Sequence, residues 1–135
     1  MHWAEQLIGR PYRAGGQGPD AFDCWGLVRW VMADRFGREL PAIPVDTTDL
    51  RAVLTAFRDH PERRRWQSVS VPLDGDCVLM RQSRHPVHVG VWLGVDEGGV
   101  LHAVSGNGVV FQRVRDLLAS GWRIEGFYRR NEDAP

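Results

Sequence analysis

The chain has 135 residues, of which 43% are hydrophobic and 25% are charged, proportions typical of a folded domain with one core. Its 17 basic residues are all arginine and balance 17 acidic residues, so the charge excludes a strongly basic protein that binds nucleic acid or anionic membranes. No apolar run approaches the roughly 20 residues of a membrane span, and the opening "MHWAEQLIG" is too short and polar for a cleavable signal peptide.

Apolar residues at helical spacing predict three helices in the first half of the chain, over residues 3–8, 24–36 and 48–58. Gly9 ends the first helix. The second follows a Gly- and Pro-rich loop over residues 10–23, and we expect Asp23 to cap its start and Gly37 to stop it.

After Trp66 the hydrophobic period changes from helical spacing to two, which is typical of strands. Strands are predicted over residues 68–71, 76–81, 87–94, 99–104, 108–114 and 122–130, with a short helix over 115–120. Helices followed by strands with short connections predict an α+β fold in which N-terminal helices pack on an antiparallel β-sheet. We expect one domain over residues 1–130 and a frayed tail over residues 131–135.

Cys24 stands where the acidic turn "DAFD" gives way to an apolar helix. In the first helical turn, unpaired amides and about half a positive charge favour thiolate over thiol, so we expect a lowered pKa. A small buried thiol is the commoner use of a free cysteine. Gly26 indicates that something approaches the helix start closely. Cys24 and Cys77 are both interpreted as free thiols, since two cysteines make no disulfide framework.

Two histidines are candidates for the base that a cysteine nucleophile needs. In "HPVHVGVWLG", His88 and Gly90 share a face, and His102 follows in "GVLHAV". The register that places His102 opposite Gly90 makes it a diagonal neighbour of His88, about 7–8 Å away at the backbone. One imidazole would then take the thiol proton while the other orients it. Either histidine taken alone is better explained as a half-buried sheet residue with one hydrogen bond.

The segment "IGRPYRAGGQGPDAFDCWGLVRWV" resembles the signature of the NlpC-type cell-wall cysteine peptidases, a G-x-P-Y-x-x-G-G loop followed by D-C-x-G-L at a helix start. "LDGDCVLM", "HVGVWLG" and "LHAV" are similar, in order, to the family's Gly-Asp strand, its H-V-G strand and the strand of its third catalytic residue. The tryptophan after the cysteine and "GLVRWV" resemble the version in bacteriophage tail-assembly proteins. The loop "VDEGGV" is slightly longer than is usual for the family, which matters only if it shifts the strand register.

This resemblance implies a reduced papain-like α+β fold whose catalytic residues are the nucleophile Cys24, the general base His88 and the polarising residue His102. Tyr12 matches a tyrosine whose hydroxyl lies near the thiol, where it would help to hold the oxyanion. The residues expected on the oxyanion or substrate side are Tyr12, Asp23, Trp25 and Gly90. For Trp25, packing into the core is an equally good interpretation.

The family's usual substrate is the peptidoglycan stem peptide, commonly at an amide of γ-D-glutamyl–diamino acid type. The resemblance therefore implies a thiol-dependent endopeptidase or amidase without cofactor or metal. Its expected partners are other phage tail or injection-apparatus proteins. Its expected location is the virion tail, or the host cytoplasm before assembly, with action on the cell wall in the periplasm.

Other interpretations remain open. A tail-assembly or tail-tip plug would have the same fold without needing catalysis, and acyl transfer or lipid amide chemistry would use the same three residues. A zinc site built from Cys24 and the two histidines, with Cys77 or His85 as a further ligand, is less favoured, because the short paired spacings of structural zinc sites are missing.

Overall fold

The computed structural model describes residues 2–41, 61–82 and 86–131. The helix predicted over residues 48–58 lies outside these ranges, as do residues 132–135 of the predicted tail. The described helices are α1 (Cys24–Phe36) and α2 (Val114–Ala119), with 3-10 turns at Trp3–Gln6, Pro61–Arg65 and Val95–Glu97. The strands are β1 (Trp66–Val69), β2 (Cys77–Arg81), β3 (Pro86–Leu93), β4 (Gly99–Val104), β5 (Gly108–Arg113) and β6 (Arg123–Arg130).

The six strands form one sheet in the order β1-β6-β2-β3-β4-β5, and every described pair of strands is antiparallel. The predicted α+β class with an antiparallel sheet is therefore confirmed. Two local predictions are wrong. The first strand occupies Trp66–Val69 rather than residues 68–71, and the first helix is only a 3-10 turn, beyond which Ile8 is 44% exposed.

Helix α1 has the predicted bounds because both of its ends are fixed by local chemistry. The Asp23 side chain accepts a hydrogen bond from the Gly26 amide, which satisfies one of the unpaired donors of the first turn. At the other end Gly37 adopts a left-handed conformation, φ 64°, and its amide donates to the Met32 carbonyl. The helix start is thus held in a defined position relative to the preceding loop.

The sheet separates two apolar clusters. On its first face α1 packs against β3 and β4, and the residues that meet there include Leu27, Val28, Val31, Val89, Val91 and Leu101. On the second face α2 and the start of β6 cover the sheet, and the buried residues there are Val78, Met80, Val100, Leu117 and Trp122. Alternation along β3 and β4 therefore decides which side chains meet α1 and which meet α2.

Strand β6 is held inside the sheet by pairing with both β1 and β2. An ion pair between a buried aspartate and a partly exposed arginine adds to this pairing. Asp76, 2% exposed, accepts hydrogen bonds from Arg129 Nε at 2.9 Å and Nη2 at 2.8 Å. The bidentate geometry satisfies both carboxylate oxygens of a charge that would be costly to bury alone.

The register between β3 and β4 is the one predicted from the two histidines. Val91 pairs with Leu101, and continuing the register by one residue places Gly90 opposite His102. The described backbone pairs of β3 and β4 run over residues 91–93 and 99–101, and the two histidines stand just beyond them. Across the described residues no helix is long and apolar enough to cross a membrane.

Candidate active site

The loop over residues 10–23 is fastened to the start of α1 through Asp23 and two glycines. Asp23 accepts hydrogen bonds from the amides of Gly26, at 2.6 Å, and Gly15, at 3.1 Å, and its own amide donates to the Gly16 carbonyl at 2.9 Å. A Cβ at Gly26 would lie 2.0 Å from that same Gly16 oxygen. The close approach predicted from Gly26 is therefore made by the loop backbone.

Cys24 lies in the first turn of α1 and is 6% exposed. Burial, and secondarily the carboxylate of Asp23, raise the pKa of its thiol to about 12, although hydrogen bonds from the backbone amides of Val89, Trp25 and Cys24 itself oppose the rise. The lowered pKa expected from the helix dipole is therefore wrong for this structure. Removing the sulfur from water outweighs the favourable dipole, so the resting group is a neutral thiol.

The same contacts place the sulfur beside β3. The Val89 amide, which hydrogen-bonds the Cys24 side chain, belongs to the residue that follows His88 in the chain. The start of α1 therefore lies against the part of β3 where pairing with β4 has ended. A nucleophile candidate and a base candidate are thus brought to one region of the sheet.

His88 and His102 are hydrogen-bonded to each other, with 2.8 Å between Nε2 of His88 and Nδ1 of His102. Their rings meet edge to face, with centroids 5.0 Å apart and planes at 70°. Gly90 provides the space for this arrangement, since a Cβ there would lie 2.9 Å from His102 Cβ and 2.8 Å from the Leu101 oxygen. The pairing of the two histidines agrees with the predicted register.

Trp122 covers the pair from the second face of the sheet. Its indole stacks on His88 with ring centroids 4.4 Å apart and planes at 24°, and it meets His102 edge-on at 5.8 Å. Burial lowers the pKa of His102 to about 4, and burial together with His102 holds the pKa of His88 well below its ordinary value. Both imidazoles are therefore neutral at pH 7, and His88 is free to accept a proton.

Two further side chains extend the hydrogen-bonded pair. His102 Nε2 is 2.9 Å from Gln112 Oε1 on β5, and Gln112 Nε2 donates to Ser120 Oγ at 2.9 Å. Gln112 is brought there by the β4–β5 register, which pairs it with Val100 and makes it a diagonal neighbour of His102. A continuous series of hydrogen bonds thus runs from His88 to the residue that ends α2.

The predicted oxyanion and substrate-side residues have different surroundings. Tyr12 is half-buried, and its backbone bridges that of Phe22 two residues before the cysteine. Trp25 is 7% exposed and packs in the core, with its indole N–H donating to the Pro41 carbonyl at 2.8 Å. Of the two interpretations of Trp25, its surroundings favour packing in the core.

Sequence reasoning missed Trp122 and Gln112. A signal for Gln112 was present, because the alternation of "GVVFQRV" opposite "GVLHAV" places it on the histidine face once the hairpin register is fixed. No local signal identifies Trp122. It reaches His88 only because β6 lies on the far side of β2, a long-range feature of the sheet order.

Comparison with known proteins gives two similar enzymes. A probable endopeptidase of Haemophilus influenzae is 29% identical over 113 residues, 82% of this chain and 61% of that protein. The murein DD-endopeptidase MepS/murein LD-carboxypeptidase of Escherichia coli is 28% identical over 105 residues, 78% of this chain and 48% of that protein. The chain thus spans about half to three fifths of the length of these relatives.

Among solved structures, the NlpC/p60 domain of the peptidoglycan hydrolase SagA is similar with a TM-score of 0.55 and 27% identity, over 83% of this chain and 84% of that one. NlpC2 from Trichomonas vaginalis gives a TM-score of 0.61 at 21% identity, over 95% of this chain and 44% of that one, a likeness of fold. The model of the NlpC/P60 family matches residues 9–125. The chain belongs to the NlpC/P60 family.

Proposed function

We propose that this protein is a cysteine endopeptidase or amidase that hydrolyses amide bonds of peptidoglycan stem peptides. Cys24 acts as nucleophile, His88 as general base and His102 as the residue that orients it. The observation that carries the proposal is the 2.8 Å hydrogen bond between His88 on β3 and His102 on β4. The amide of Val89, the residue after His88, hydrogen-bonds the Cys24 sulfur. The names of the relatives, a murein endopeptidase and a peptidoglycan hydrolase, support the substrate class.

The reaction begins when His88 takes the thiol proton of Cys24 and the sulfur attacks the carbonyl carbon of the amide. The Cys24 backbone amide and the Tyr12 hydroxyl are proposed to hold the oxygen that becomes negative. His88 then donates its proton to the departing amine as the C–N bond breaks, which leaves a thioester. Water, deprotonated by His88, hydrolyses the thioester and restores the thiol.

The resting charges decide when the nucleophile forms. With the thiol pKa raised to about 12 and the His88 pKa lowered by burial, the neutral pair is favoured over thiolate and imidazolium in the free enzyme. Proton transfer is therefore coupled to the attack on bound substrate, in which the sulfur bonds to the carbonyl carbon and the negative charge passes to the carbonyl oxygen. Stacking on Trp122, with centroids 4.4 Å apart, stabilises the transient imidazolium of His88.

The test is digestion of purified peptidoglycan followed by mass spectrometry of the released muropeptides. The wild type is expected to release stem-peptide fragments, whose masses identify the scissile bond. Cys24→Ala is expected to release none, whereas Cys77→Ala, which alters a thiol on β2, is expected to retain activity. Equal release by the Cys24→Ala variant would refute the mechanism.

The phage-tail location is a finer part of the proposal. It is supported by the tryptophan after the cysteine and the "GLVRWV" continuation, which resemble the domain in tail-assembly proteins. We infer that the protein acts with other tail or injection-apparatus proteins to open the cell wall locally. Purified virions probed with antibody against this chain are expected to contain it. Its absence from virions whose other tail proteins are detected would refute the location.

The burial of Cys24 favours one second candidate, a structural tail component of the same fold that does not use its catalytic residues. Cys24 as a whole residue is only 6% exposed, so a substrate has little access to its sulfur unless the site opens. The two functions differ in the phenotype of a Cys24→Ala phage. A plug predicts normal assembly and normal infection, whereas the hydrolase predicts normal assembly with impaired penetration of the wall.

A further inference from the structure

We propose that Gln112 is a positioning residue that selects the tautomer of both histidines and thereby makes Nδ1 of His88 the basic nitrogen. The proposal rests on the proposed function, because it assigns a role in the proton transfer of that same site. It starts from the hydrogen bonds that join Gln112 to His102 and to Ser120.

Gln112 presents its carbonyl oxygen to His102, and an oxygen only accepts hydrogen bonds. His102 Nε2, 2.9 Å away, must therefore carry a hydrogen. A neutral imidazole has one N–H, so Nδ1 of His102 is an acceptor. His88 Nε2, 2.8 Å from that Nδ1, must then be the donor. The remaining nitrogen of His88, Nδ1, is left without a hydrogen, which is the form that accepts the proton of the Cys24 thiol.

The opposite orientation of the amide would disable the base. If the NH₂ group of Gln112 faced His102, every hydrogen in the series would move by one position. His102 Nδ1 would donate to His88 Nε2, and the hydrogen of His88 would occupy Nδ1. The orientation of one side-chain amide therefore controls the protonation of a nitrogen two hydrogen bonds away.

Ser120 contacts the other end of the Gln112 amide. Its Oγ accepts from Gln112 Nε2 at 2.9 Å, and its position is set by α2, since its amide donates to the Asp116 carbonyl at 3.0 Å and the Leu117 carbonyl at 3.1 Å. Leu117 is fully buried against the second face of the sheet, which anchors the helix. The packing of α2 thus positions the hydroxyl that the Gln112 amide contacts.

The experiment compares Gln112→Met, which removes both amide functions at similar volume, with Gln67→Met, the same change at an exposed position on β1. Long-range ¹H–¹⁵N spectra of the folded protein at pH 7 report which ring nitrogen of each histidine carries the hydrogen. The wild type and Gln67→Met are expected to show Nε2–H on both histidines. Gln112→Met is expected to show mixed tautomers and a fall in peptidoglycan digestion on the order of 100-fold.

A second variant separates orientation from packing. In Gln112→Glu the new carboxylate still accepts a hydrogen bond from His102, but its negative charge also favours the imidazolium form of His102. Among the groups seen to contact His102, His88 is the one that titrates, so the charge of His102 acts on the base itself. The acid limb of the variant's pH–rate profile is expected to move to higher pH, with activity recovered at alkaline pH. A variant that merely loosened the fold would lose activity at every pH. If Gln112→Met does not fold, Ser120→Ala, at an exposed position, carries the same spectroscopic test.

The spectra and the digestion assay keep the two proposals distinguishable. The role of Gln112 is supported if the wild type shows Nε2–H on both histidines and Gln112→Met does not. This holds even if the wild type cleaves no peptidoglycan, in which case only the proposed function fails. Hydrogens on Nδ1 in the wild type, or spectra of Gln112→Met indistinguishable from those of Gln67→Met, would overturn the assignment.

Discussion

Replacing Gly90 with alanine tests whether the histidine pair depends on the empty space between β3 and β4. The added Cβ would lie 2.5 Å from Val100 Cγ1, 2.8 Å from the Leu101 oxygen and 2.9 Å from His102 Cβ. Each carbon–carbon distance is well inside the roughly 3.5–4.0 Å of an optimal contact. Because two of the three atoms are backbone or Cβ atoms of β4, the strand itself has to move.

The cost follows from these contacts. Overpacking a core costs about 1–3 kcal/mol, and the stiffer unfolded chain returns about 0.4–1 kcal/mol, so we expect a net loss of about 1–2 kcal/mol in the free energy of unfolding. Moving His102 away from His88 disrupts their 2.8 Å hydrogen bond. A displacement approaching 1 Å is expected to lower the rate of peptidoglycan digestion on the order of 100-fold.

The assays are urea unfolding at pH 7 and digestion of purified peptidoglycan. Gly126→Ala is the matched control, because it changes another strand glycine whose Cβ would meet only the Tyr128 side chain, at 3.1 Å, among the three nearest atoms. At Gly126 all three of these atoms belong to the Tyr128 side chain, whereas at Gly90 they include the Leu101 backbone oxygen and the His102 Cβ of β4. If Gly90→Ala equalled Gly126→Ala in both stability and rate, the reasoning from close approach would be refuted.

Three further predictions concern charge at the site. Burial raises the pKa of the Cys24 thiol to about 12, so in a Cys77→Ser variant its alkylation by iodoacetamide is expected to speed up about tenfold per pH unit between pH 7 and 9. A rate that reached a plateau near neutral pH would contradict this. Burial lowers the pKa of His102 from 6.5 to about 4, so between these pH values the unfolded chain binds a proton that the folded chain does not. The free energy of unfolding is therefore expected to fall by about 3 kcal/mol as the pH drops from 7 to 4. Urea midpoints independent of pH over this range would argue against a buried neutral ring. Asp23→Ala is expected to cost about 1–2 kcal/mol in urea unfolding and Asp23→Asn distinctly less, since asparagine keeps a capping oxygen; equal losses would show that the cap is unimportant.

The parts of the fold that the sequence predicts well are those fixed by neighbouring residues. The bounds of α1 follow from an aspartate cap and a left-handed glycine, both readable as local signals. The register of β3 and β4 is one that the sequence permits, and Gly90, whose missing side chain makes room for His102, agrees with it. In each case the physical cause lies within a few residues or one strand pair of its effect.

The ionisation of Cys24 illustrates what the sequence leaves open. The helix start predicts a stabilised thiolate, and the three amides that point at the sulfur agree with that expectation. Burial is a property of the whole packing, however, and it raises the pKa more than the amides lower it. The sign of the shift therefore depends on how completely residues distant in sequence exclude water from the sulfur.

The short range of local signals also explains the two misplaced elements. The turn at Trp3–Gln6 has apolar residues at helical spacing, but Gly9 and Pro11 leave too few residues for an α-helix to repay its nucleation cost. The start of β1 at Trp66 is set by its pairing with Arg130 on β6. Such pairing is invisible until the strand order of the sheet is known.

The interior position of β6 has a consequence for biosynthesis. A nascent polypeptide that has left the ribosome as far as residue 113 already contains Cys24 and both histidines, yet Asp76 still awaits Arg129, which arrives 53 residues later. Trp122, whose indole stacks on His88, is also synthesised late, because it directly precedes β6, the strand that lies between β1 and β2. Translation must therefore pass residue 130 before β6 can close the sheet between β1 and β2 and the Trp122 indole is held against His88.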